Sequence, residues 1–100
     1  MPSSKEILRR LRRIGYTILT KRGKGSHILA YFEHEGKQVC VTMIQKAHDI
    51  PKGTLRSIKA ATGLTDPVDF NTFMRGELTR EEYVDILLRQ GIIAPSQDEA

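Results

Sequence analysis

Residues 26–44 read SHILAYFEHEGKQVCVTMI, and the alternation within this stretch decides the fold. Ile28, Ala30 and Phe32 fall on one side of an extended chain while His27, Leu29 and Tyr31 fall on the other. That period of two is what a strand with one covered and one open face requires. Lys37–Ile44 continues in the same manner, and the Glu35-Gly36 pair between the two runs reads as the tight connection of a hairpin. Working upstream, Tyr16–Lys21 is a third extended segment, joined to Ser26–His34 by Arg22-Gly23-Lys24-Gly25.

Both flanks of this three-strand pattern are helical. Across residues 4–14, Ile7, Leu8, Leu11 and Ile14 recur at helical spacing while Arg9, Arg10, Arg12 and Arg13 take the opposite arc, and Gly15 closes the run. Downstream, Asp49-Ile50-Pro51-Lys52-Gly53-Thr54 opens a second helix, with Pro in the first turn and Asp or Thr available as a cap. It runs to Thr62 and stops at Gly63. Leu55, Ile58 and Thr62 form its inward line, and Lys52, Arg56 and Lys59 form a basic line beside them. Two short helices complete the chain. Asp66-Pro67 caps one that ends at Gly76, and Thr79 with Glu82 makes a capping box for another ending at Gly91. Val68, Phe70, Phe73, Met74, Tyr83, Ile86 and Leu87 give these helices apolar faces that have to be covered, either by the sheet or by a partner. The expected class is α+β: helix, three antiparallel strands, helix, then two short C-terminal helices. Residues 1–64 are the expected core and residues 65–100 a helical extension packed on the same domain.

Charge divides along the same line. Residues 1–64 carry 13 Lys or Arg against 4 acids, whereas residues 65–100 carry 3 against 8, which together give the net +4 of the chain. A basic surface of that density attracts polyphosphates and supplies most non-specific affinity for nucleic acid. The N-terminal Met1-Pro2-Ser3-Ser4-Lys5 leads straight into the charged helix, with no apolar run of signal-peptide or membrane-spanning length, so the expectation is a cytoplasmic protein without a membrane partner. Cys40 is the one cysteine; it cannot form an internal disulfide and sits in an apolar strand pattern, where it acts as a small hydrophobe. His27, His34, His48 and Cys40 lack the short-range spacing of a metal site, and no metal or cofactor is expected.

Gly25-Ser26-His27, the Tyr31-Phe32 strand, Val41-Thr42 and Lys52-Gly53-Thr54-Leu55-Arg56-Ser57-Ile58 occur in an order and at spacings that resemble the HicA family of toxin ribonucleases over residues 4–64. The resemblance implies a fold like that of a double-stranded-RNA-binding domain, cleavage of mRNA, and inhibition by a cognate HicB-type antitoxin. It implies a catalytic role for His27 alone. Where members often carry Val-Thr-x-Pro-x-His, this chain has Val41-Thr42-Met43-Ile44-Gln45-Lys46, with His48 two positions further on. His48 is thus either a loop residue or an RNA contact.

The chemistry suits these residues. RNA is cut by its own 2′-hydroxyl when one group removes that proton, another protonates the leaving 5′-oxygen and a third offsets the extra phosphate charge. An imidazole titrates near neutral pH and serves as base or acid. Gly25 lets the RNA backbone approach beside Ser26, and Lys24, Lys46, Lys52, Arg56 and Lys59 are the expected phosphate contacts. His34, beside the hairpin turn, reads as a solvent-facing residue. The arginine arc of the first helix reads as a solvated face, or as a backbone or antitoxin contact. Two other functions fit parts of the pattern: a non-catalytic RNA-binding module of the same fold, and a helix-turn-helix DNA binder, against which the three consecutive strands speak.

Overall fold

The computed structural model describes residues 2–19 and 27–95. Within them lie α1 (Ser4–Arg13), β1 (Thr17–Leu19), β2 (His27–His34), β3 (Lys37–Gln45), α2 (Lys52–Thr62), α3 (Pro67–Met74) and α4 (Arg80–Arg89). The strands form one antiparallel sheet in the order β1-β2-β3. This is the α+β arrangement of a double-stranded-RNA-binding domain, with two helices added after it.

The β2–β3 hairpin turns at Glu35 and Gly36, whose φ angles of 53° and 80° are both in the left-handed region. Two successive residues of that kind match the right-handed twist of the flanking strands; Gly36 adopts the conformation freely, Glu35 at some cost. Pairing runs from His34 opposite Lys37 to His27 opposite Gln45, with a shift between Phe32 and Glu33 that the alternation did not foretell. Ile28, Ala30, Phe32, Cys40, Thr42 and Ile44 are buried on one face. The opposite face carries Tyr31 and Leu29 half-buried, and Val41 and Met43 44% and 55% exposed. The one-sided strand reading therefore holds.

α1 and α2 cover the buried face. Ser3 caps α1 by accepting from Glu6 N at 3.1 Å, and Ile7, Leu11 and Ile14 enter the core. Full burial of such a side chain is worth roughly 1.5–3 kcal/mol. α2 starts differently from the sequence expectation: its N-cap is Pro51, with no side-chain cap hydrogen bond, so neither Asp49 nor Thr54 serves. The entry is instead held from outside the helix, where Ile50 is buried and its N–H donates to Pro2 O at 2.9 Å. α2 ends at Gly63 in the left-handed conformation.

The tail helices belong to the same apolar cluster. Phe70, Phe73, Leu78, Tyr83, Ile86 and Leu87 join Ile7, Phe32, Cys40 and Ile58 in one core. Tyr83, fully buried, meets the edge of Phe32 at 5.0 Å between centroids, and Tyr16 packs at 5.5 Å from Phe32. The Tyr83 hydroxyl donates to Thr62 O at 2.6 Å, which leaves it to accept from Tyr16. Burial pushes both phenols well above the usual tyrosine range, because a phenolate would lose its water there. The capping box of α4 is present as expected, with Thr79 and Glu82 bonded reciprocally.

Arg10 leaves the solvated arc to which its spacing assigned it. Its Nε donates to Met74 O at 2.8 Å, fastening α1 to the end of α3. Gly76, at φ 74°, lies so close that a Cβ there would stand 2.7 Å from Arg10 Nη1. A side chain at position 76 would displace the guanidinium. Arg9, Arg12 and Arg13 remain exposed. No helix among the described residues is long and apolar enough to cross a membrane.

Candidate functional site

His27 is the first residue of β2 and is exposed. Alternation turns it to the open face of the sheet, because the next residue, Ile28, is buried on the opposite face. Its partner across the ladder is Gln45, the last residue of β3. The chain leaving Gln45 runs through Lys46, Ala47 and His48, with Lys46 and His48 exposed. Register thus brings the catalytic residue expected from sequence to the same sheet end as Lys46. Lys24, Gly25 and Ser26 lie outside the described residues.

A cavity of about 640 Å³ opens at this end. It is lined by Leu8, Ile28 and Ala47 together with Ser3, Ser4, Lys5, Lys46 and His48. Its shape is fixed by backbone stitching between α1 and the β3–α2 connection. Ser4 N donates to Ala47 O at 3.0 Å, Ala47 N donates to Ser4 Oγ at 3.0 Å, and Ser4 Oγ donates to Ala47 O at 3.2 Å. Ser4, Lys5 and Leu8 reach one spot because residues three and four apart share a helix face.

The basic line on α2 forms a second concavity of about 540 Å³, lined by Lys52, Arg56 and Lys59 with Leu55 and Ala60 between them. Lys52 and Arg56 are exposed, but Lys59 is half-buried with its Nζ 4.4 Å from the centroid of Phe70. The expected RNA contacts therefore divide into two places: Lys46 with His27 at the sheet end, and Lys52, Arg56 and Lys59 along α2. Lys59 is in part committed to the tail. Sequence reasoning missed Lys5, which it read only as the lead into a helix, and left His48 open; no local spacing connects either to Ile28.

His34 is half-buried beside the turn, 3.9 Å from Glu35 Oε2, and not the freely solvated residue expected. Among the described residues no cluster of three or more His, Cys, Asp or Glu could hold a metal ion. Cys40 is buried under Tyr83, whose hydroxyl is 3.6 Å from its sulfur.

No curated protein and no solved structure is significantly similar to the chain. The sequence model of one family, described as "HicA toxin of bacterial toxin-antitoxin", matches residues 4–64, the segment from the start of α1 to just past α2. That match covers well over half of the chain, and the helix, three-strand, helix order it spans is the one the structure displays. The chain belongs to the HicA toxin family, and the protein is the toxin of a bacterial toxin–antitoxin system.

Proposed function

We propose that this toxin is an endoribonuclease that cuts mRNA by proton transfer at His27. The observation that carries the reading is the exposure of His27 at the head of β2, opposite Gln45 and next to the Lys46 end of β3. The RNA 2′-oxygen attacks the adjacent phosphorus, the bond from phosphorus to the 5′-oxygen breaks, and a 2′,3′-cyclic phosphate and a free 5′-hydroxyl result. Two protons move, one off the 2′-hydroxyl and one onto the leaving oxygen. His27 carries one of them, and solvent, which reaches this exposed strand end, carries the other. Lys46, with Lys24, offsets the charge on the phosphate, while Gly25 and Ser26, just before His27 in sequence, let the RNA backbone approach the imidazole. Lys52, Arg56 and Lys59 hold more distant phosphates.

In this reading residues 1–64 are the toxin core and residues 65–100 a helical extension that completes its packing. A HicB-type antitoxin inhibits by covering His27 and the basic surface around it, drawn there by complementary charge. The chemistry requires no cofactor and no metal ion. Incubating the purified toxin with mRNA in a chelating buffer tests this directly. Undiminished cutting, with fragments ending in cyclic phosphate, is expected; abolition by chelator with recovery on one divalent ion contradicts it.

A further inference from the structure

We infer that the exposed basic arc of α1, Lys5 with Arg9, Arg12 and Arg13, is a docking surface for nucleic-acid backbone, set on the opposite side of the sheet from His27. It goes beyond the ribonuclease reading and stands or falls without it. The first observation is how the arginines divide. Among the described residues, Arg10 donates to Met74 O, Arg75 to Glu77, Arg89 pairs with Asp69, and Arg80 lies over the ring of Phe32. Each of these is tied into the fold. Arg9, Arg12 and Arg13 are exposed and, within the described residues, have no hydrogen-bond, ion-pair or aromatic partner. Arg56 of α2 is in the same state, and the reading above already gives it a phosphate.

The second observation is geometry. At 100° per residue Lys5, Arg9, Arg12 and Arg13 fall within one arc opposite the buried line of Ile7, Leu11 and Ile14. The stripe is about 12 Å long from Lys5 to Arg13, a length over which one strand of a duplex presents about three phosphates. Folding does not relieve the crowding. Lys5 and Arg13 each stand four positions from Arg9, and like charges at that spacing repel. The helix dipole favours Arg12 and Arg13 in the last turn but opposes Lys5 in the first. A polyanion laid along the stripe offsets the repulsion at all four positions.

The third is what the arc lacks. Val41, Met43, Val68 and Ile92 are the exposed large hydrophobics among the described residues, and none is on α1. A protein interface needs an apolar centre within its polar rim, whereas guanidinium forks hold phosphate without one. The occupant that fits is therefore a sugar-phosphate backbone. Because α1 packs on the buried face of the sheet, its outward arc and the open face to which His27 turns look in opposite directions. The backbone held at α1 is a stretch remote from His27.

Fluorescence anisotropy of the intact toxin with a labelled oligothymidylate of about 20 residues tests this. The probe has no 2′-hydroxyl to attack its own phosphate, so the outcome does not depend on catalysis. The triple variant Arg9→Gln, Arg12→Gln, Arg13→Gln is expected to bind at least about tenfold more weakly. Its slope of log affinity against log salt should fall by about 2, near 0.7 for each contact to a single strand. The positions are exposed and glutamine suits a helix, so the fold is retained; Arg9→Gln alone should lower the slope by about 0.7. Arg10→Gln, which loses a charge committed to Met74, should leave the slope unchanged. An oligouridylate of the same length, measured in the His27→Ala background, should show the same loss within about threefold, because the contact is to phosphate. Wild-type affinity and slope in the triple variant overturn the inference, whether or not that variant also escapes its antitoxin, which would make the arc a protein contact. A loss seen with only one of the two probes, or a slope that falls as much per residue in Arg10→Gln, also overturns it.

Discussion

The hydroxyl of Tyr83, in α4, donates to the main-chain carbonyl of Thr62, the last residue of α2, at 2.6 Å. Across the same hydroxyl Tyr16 completes the chain of hydrogen bonds, so a residue of the tail satisfies polar groups at the heart of the preceding α-β-β-β-α unit. Tyr83→Phe keeps the ring against Phe32 but strands the Thr62 carbonyl and the Tyr16 hydroxyl. A loss of about 1–3 kcal/mol in denaturant unfolding is expected. Tyr83→Ala, which also opens a cavity, should cost about 3–5 kcal/mol. A near-neutral Tyr83→Ala would mean that the tail does not complete the core.

Alkaline pH should find the same place. Burial raises both phenols above the ordinary value, so in the folded protein they stay neutral where unfolded tyrosines ionise, from about pH 10. Above that pH the unfolded chain has fewer bound protons than the folded one. Stability conferred by the neutral pair is therefore fully present below about pH 10 and declines as pH rises past it. Tyr83→Phe should flatten this alkaline slope in chemical-denaturation curves; an unchanged slope contradicts the burial argument.

The arginines of α1 should separate cleanly in mutagenesis. Arg10→Ala removes the bond to Met74 O and is expected to lower stability by about 1–3 kcal/mol. Arg12→Ala, at an exposed position, should change it by no more than about 0.5 kcal/mol. Thermal unfolding of the two variants checks the contrast, and equal effects would deny Arg10 its fastening role.

Salt dependence of RNA binding reports which cations meet phosphate. Lys52 and Arg56 are exposed on α2, whereas Lys59 lies over Phe70, so the informative double variant is Lys52→Ala with Arg56→Ala. Each lost phosphate contact should reduce the slope of log affinity against log salt by about 0.7–0.9. A slope that does not change means α2 faces away from RNA.

Much of this molecule was legible in local pattern. The alternation of Ile28, Ala30 and Phe32 against His27, Leu29 and Tyr31 told which face is covered, the Glu35-Gly36 pair told where the hairpin turns, and Thr79 with Glu82 told where α4 begins. These features are decided by neighbours within a few residues. What stayed hidden depends on distant partners. Arg10 sits among arginines of identical spacing and differs from them only because Met74 ends a helix beside it, 64 positions later. Lys59 differs from Lys52 because Phe70 lies beneath it. Pro51 begins α2 without a side-chain cap because Ile50 is anchored to Pro2, a bond no α2 motif encodes. The site divides in the same way: the motif named His27 and the charge pattern offered Lys46, while Lys5 came beside Lys46 only when Ser4 was stitched to Ala47.

Replacement of His27 by alanine, assayed on purified protein with an mRNA substrate, tests the central claim most directly. His27 is exposed at a strand start, so the variant should fold, with a stability change of no more than about 0.5 kcal/mol. It should bind RNA with nearly the original affinity, because the lysines and arginines carry almost all of the positive charge. Cutting should fall by at least about a hundredfold, the cost of losing a positioned acid or base, and growth arrest on expression should disappear with it. A folded alanine variant that binds RNA and cuts it at the original rate would contradict the account.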